Sequence, residues 1–199
     1  MDDKPHYIGL ITHLWMLFII IYSLAIKNYN YIFEAVFFIM TLLWFSAYYY
    51  KWDITKKGYT ALACIMIMHS LGKFGAYNWH FIFDYDIYMH LASGIALALL
   101  IYPIIKPIKY TRGKIAQIAF TILIIIGLAS VNEIIEFIGA IFIPHAQGML
   151  APEANPLSRM AGLSADYVDT MKDIIVTTCS GIITTILSQY LKKKKKTLQ

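Results

Sequence analysis

Apolar runs about as long as a bilayer is thick recur along this chain, at 7–26, 31–50, 59–76, 88–105, 115–143 and 170–191. A hydrocarbon core about 30 Å thick is crossed by roughly 20 residues of helix. Inside it each segment must satisfy its own backbone hydrogen bonds. Runs of this length without polar alternation predict helices and not strands. The expected fold is all-α, one polytopic membrane bundle over 1–199 with six transmembrane helices. Composition agrees: 59% of residues are hydrophobic and 15% charged, whereas soluble domains carry about 25% charged residues. A soluble globule and a disordered chain are both excluded. The first run is expected to be a retained helix and not a cleaved signal. Its flank Met1-Asp2-Asp3-Lys4 is not basic, and no small-residue cleavage site follows it.

The basic residues set the orientation. Six spans place the N-terminus, the 51–58 and 106–114 loops and the C-terminal tail on one side, and 13 of the 17 Lys and Arg residues fall there. The positive-inside rule predicts that both termini are cytoplasmic. The run Lys192–Lys196 reads as a stop signal drawn to anionic headgroups, so the net charge of +5 implies membrane lipids as partners and no nucleic acid. Cys64 and Cys179 lie inside apolar runs, where buried packing is the default for a thiol. His13, with no ionisable neighbour within a turn, is read the same way.

The acidic residues are sorted to the opposite side. Asp84, Asp86, Glu133, Glu136, Glu153, Asp166, Asp169 and Asp173 lie toward the outside, with Glu34 at the outer start of the second run. Three ionisable pairs have helical spacing: Asp86 with His90, Glu133 with Glu136, and Asp169 with Asp173. Residues three or four apart share a helix face, so each pair can point into the bundle. At about 1.5 Å per residue all three reach a similar depth. They predict one outward-facing polar site built from the fourth, fifth and sixth helices. Whether His69, His80 or Asp84 joins it stays open.

So many carboxylates cannot all ionise at close range without compensation. Three solutions exist. A divalent metal ion can bind, with Asp86, His90, Glu136, Asp169 and Asp173 as candidate ligands. Some acids can stay protonated and serve acid–base chemistry, with Glu133, Glu136 and Asp173 as candidate catalytic groups. Or nearby cations, Lys172, Arg159 and Lys73, can pair with them. Asp169 can also be a helix cap favoured by the dipole. The long connection 144–169 joins two of the site helices and is expected to lie over the site.

These motifs carry a resemblance. Asp86-Ile-Tyr-Met-His90-Leu-Ala-Ser-Gly94, then Asn132-Glu133-Ile-Ile-Glu136-Phe, then Asp169-Thr170-Met-Lys-Asp173 followed by Ser180-Gly181 resemble, in order, motifs of the YjdF-like and VanZ-like small bacterial membrane proteins. The YjdF-like pattern is the more similar. The resemblance covers about 84–184. It implies an integral protein of the plasma membrane, and the VanZ-like link to glycopeptide resistance points to the cell envelope.

Three functions follow from the residues. One is an enzyme acting at the outer leaflet on a lipid-linked or headgroup substrate, with a metal at His90 and Glu133 or Glu136 as general base. Another is a small proton- or cation-coupled transporter using the same acids. The third is a non-catalytic binding or structural protein whose polar cluster specifies helix packing.

Overall fold

The computed structural model describes residues 6–72, 74–76, 79, 82–108, 113–142 and 165–197. His80, His145, Lys73, Arg159, Glu153 and nearly all of the 144–169 connection lie outside them. The described chain is an all-helical membrane bundle. Its helices are α1 (His6–Ala25), α2 (Asn30–Ala47), α3 (Lys56–Gly72), α4 (Tyr85–Ile105), α5 (Lys114–Phe142) and α6 (Ala165–Thr197). Among the described residues four segments are long and apolar enough to cross a membrane: Tyr7–Ala25, Tyr85–Ile105, Lys114–Ile138 and Val168–Leu191. The apolar part of α2, Tyr31–Ala47, is shorter.

The outer surface shows why such a chain needs a bilayer. Leu10, Leu14, Phe18 and Ile21 of α1, Leu123 and Phe137 of α5, and Ile183 and Leu187 of α6 are all exposed. In water they would form an unbroken sticky surface; lipid tails solvate them. Cys64 and Cys179 are exposed as well, which corrects the buried packing expected for them. A thiol is a small hydrophobe, and here the outside is as apolar as the inside.

The core has two parts. Met16 and Ile19 of α1, Ala35, Phe38 and Leu42 of α2 and Tyr59, Ala63 and Met66 of α3 pack with Leu100 of α4. Ala98, Ile101 and Ile105 of α4 pack with Ile125 of α5. The fourth helix is thus the centre, in contact with α3, α5 and α6. Two glycines let neighbouring backbones close on it. A Cβ at Gly58 of α3 would meet the Leu99 carbonyl, and one at Gly94 would meet the Thr177 carbonyl and the Ser180 hydroxyl of α6. Small residues at such crossings allow the close approach that van der Waals packing in lipid depends on. The α4–α6 seam at Gly94 lies one turn from His90, so it sets how near the fourth and sixth helices bring their charged groups.

Candidate functional site

The start of α4, the end of α5 and the start of α6 share one end of the bundle. Asp86 stands in the first turn of α4 and His90 one turn below it. Because α6 begins at Ala165, Asp169 and Asp173 lie inside that helix. Asp169 is therefore not a cap: it is buried and bound to Lys172 three residues on. Glu133 and Glu136 are on α5, Glu136 six residues from Phe142, about 9 Å along the axis.

Lys172 is the hub. Its ammonium lies 2.7 Å from Asp169 Oδ1, 2.9 Å from Asp86 Oδ2 and 3.4 Å from Asp173 Oδ1. The first two contacts are hydrogen bonds donated by Nζ. The third is a longer ion pair, and Asp173 Oδ1, fully buried, accepts no hydrogen bond. On the other side of the same acids, His90 Nε2 is 3.3 Å from Asp86 Oδ1 and 3.5 Å from Asp173 Oδ2. His90 Nδ1 lies 3.2 Å from the Thr177 hydroxyl. Asp86, Asp169 and Asp173 are 8%, 3% and 1% exposed, and charges so far from solvent persist only when paired. An ammonium and an imidazole provide that pairing.

The α5 acids are held differently. Asn132 Nδ2 donates to Glu136 Oε1 at 2.7 Å, a pair one turn apart. Glu133 is buried against Thr170 of α6 and within electrostatic range of His90 and Asp169. Of the five residues expected as metal ligands, three converge. One atom each from Asp86, His90 and Asp173 lie within 4.8 Å of one another, a spacing that can hold a metal ion. Glu136 and Asp169 fall outside that trio, and the Lys172 ammonium already sits on two of its members.

Sequence reasoning did not single out three features. Lys172 stood only as one of several cations, although its spacing from Asp169 is that of a helical ion pair. Asn132 carried a signal, since it precedes Glu136 by a turn. The third is a second buried pair. Glu34 of α2, 2% exposed, lies 3.2 Å from His69 Nδ1 of α3, whose ring meets the edge of Phe38.

A groove of about 750 Å³ opens from this end. Its polar end is lined by His69, Asp86, His90, Asn132, Glu136, Asp169 and Thr177. From there it follows α4 past Ala96, Leu97, Leu100, Ile101 and Ile104, between Phe37, Thr41 and Phe45 of α2 and Ile124, Leu128 and Val131 of α5. It ends beside Trp52, Ile105 and Ile108. Trp52 is fixed there by stacking on Tyr48 at 4.7 Å, with Phe45 against its edge. Asp84 stands just before α4 and does not line the groove.

No significant match was found among curated proteins or among solved structures. Residues 7–194 match the family described as "Predicted membrane protein (DUF2238)", so nearly the whole chain is covered, and the chain belongs to that family of membrane proteins.

Proposed function

We propose that the protein acts on a membrane-borne amphiphile, a lipid or lipid-linked molecule, holding its chain in the groove and its polar part at the His/carboxylate cluster. The observation that carries this reading is the groove itself, polar at one end and apolar along the rest. That is the outline of an amphiphile, and ionisable residues placed within a membrane bundle mark functional sites by default. The positive-inside rule, applied to the basic loops, supports both termini in the cytoplasm and the cluster on the outer face of the plasma membrane. The motif likeness to YjdF-like and VanZ-like proteins supports the same envelope setting.

The residues assign roles. His90, between Asp86 and Asp173, is oriented as a proton carrier. Glu136, facing the groove and tethered by Asn132, is the candidate base. In the metal-assisted form, Asp86, His90 and Asp173 would hold a divalent ion, which would supply Lewis-acid polarisation of a substrate oxygen, and Lys172 would have to withdraw from Asp86 and Asp173. The transport alternative finds less support, because the described residues lining the far part of the groove are apolar and include no acid for a relay.

Glu136→Gln, expressed at the wild-type level, is expected to reproduce the deletion phenotype; full complementation rejects the reading. Metal content by mass spectrometry, wild type beside His90→Ala, separates the two chemical forms. One equivalent lost in the variant supports the metal. None in either leaves Lys172 as the compensating cation and acid–base chemistry as the form. A second reading has its own observation. Three ion pairs from one lysine can pin α4 to α6 without any chemistry. That packing role predicts that Asp173→Asn lowers stability and that Glu136→Gln changes nothing else.

A further inference from the structure

We infer that the occupant of the groove is a membrane lipid whose head group carries a primary amine. This deepens the amphiphile reading above and rests on it. Three carboxylates, Asp86, Glu136 and Asp169, line the polar end of the groove, and among the described lining residues there is no lysine or arginine. The Lys172 ammonium does not line the groove and is already engaged by Asp86 and Asp169 at 2.9 and 2.7 Å. With Asp86 and Asp169 held by the protein's own lysine and His90 3.3 Å from Asp86, the lining carboxylate that a head group arriving along the groove meets with no cation among its described contacts is Glu136. A bare phosphate head would face like charges in a setting where water screens them poorly. A cation is the complement.

The protein's own lysine shows which cation fits. A primary ammonium, as in Lys172, donates separate hydrogen bonds to two carboxylates of this cluster. Glu136, on the groove side, offers the same acceptor chemistry with one oxygen held by Asn132. A quaternary ammonium has no hydrogen to donate and is recognised by aromatic faces. Of the three lining Phe and Trp side chains, Phe45 and Trp52 stand at the opposite, apolar end of the groove, which leaves Phe37 as the single ring toward the polar end, too few for an aromatic cage. The chemistry selects the primary amine.

The test is native mass spectrometry of delipidated protein in detergent, titrated with phosphatidylethanolamine, phosphatidylglycerol and phosphatidylcholine of identical chains. Charge-assisted hydrogen bonds at the head predict that the ethanolamine lipid binds about tenfold more tightly than the other two. Glu136→Gln, nearly isosteric and able to keep its bond from Asn132, should erase most of that preference while lipid binding persists. Equal or tighter binding of the glycerol or choline lipid overturns the amine inference and leaves the groove reading intact. The groove reading is tested separately by Leu128→Trp, which fills the groove from a half-exposed position. If that variant binds all three lipids as wild type does, the groove is not the binding site and both inferences fall.

Discussion

The bundle buries a carboxylate–histidine contact in each half, and the two are built to different ends. Between α2 and α3, Glu34 meets His69 at 3.2 Å. Between α4 and α6, Asp86 and Asp173 share His90, and Lys172 then adds Asp169 to the same cluster. With Glu133 and Glu136 of α5 alongside, acids outnumber the cations at the second site. The first joins an acid to an imidazole across two helices in the manner of a fastener, with His69 also reaching the polar end of the groove. The second carries more acid than helix packing requires, and part of that surplus, Glu136 above all, faces the groove. Surplus ionisable groups in a membrane are expensive, and under the proposed function their presence is what separates the working site from the structural pair.

That contrast can be attacked by substitution. The largest effect is expected from Lys172→Met, which leaves three buried carboxylates without their ammonium. Breaking a buried ion pair from one side costs about 3–5 kcal/mol, and unfolding in mixed micelles should show a loss of that size. Wild-type stability in this variant would mean that something other than Lys172 compensates the acids. Gly94→Val comes next. Its Cβ alone already meets the Thr177 carbonyl and the Ser180 hydroxyl, so overpacking toward the upper end of about 1–3 kcal/mol is expected. Function should fall with it, because the same seam sets the spacing of His90 from Asp173.

Glu34→Gln should cost less, about 1 kcal/mol, since the amide keeps an acceptor toward His69. It should complement a deletion strain fully; loss of function there would make the first pair part of the site. The smallest stability change belongs to Glu136→Gln, within about 0.5 kcal/mol, measured in the same unfolding assay. Paired with loss of function, that near-neutral result is what divides the two regions. A drop as large as that of Lys172→Met would place Glu136 among the fasteners.

The fold and the level of the site were legible because both follow from run length and charge sorting. Twenty-residue apolar runs demand helices in lipid, and spacings of three and four put Asp86 with His90 and Asp169 with Asp173 on shared faces. What could not be read was the rotation of each helix about its axis. In a soluble protein the apolar stripe reveals it, but here lipid and core are both apolar, so Cys64 and Cys179 gave no sign of facing outward. The same blindness hid the Glu34–His69 contact, whose members are separated by most of two helices in sequence. It also left Lys172 as one cation among several, so that a metal, protonated acids and ion pairing stood side by side as solutions for the cluster.

The amphiphile reading meets its most direct test inside intact membranes. A photoreactive benzophenone side chain is placed at Leu128, which lines the groove, and in a second protein at Ile183, exposed on α6 and away from it. After irradiation, the lipid adducts are identified by mass spectrometry. The groove position should capture one lipid class well above its share of the membrane, while the α6 position samples the bulk mixture. Adducts at Leu128 that simply mirror the bulk membrane, as at Ile183, would contradict it.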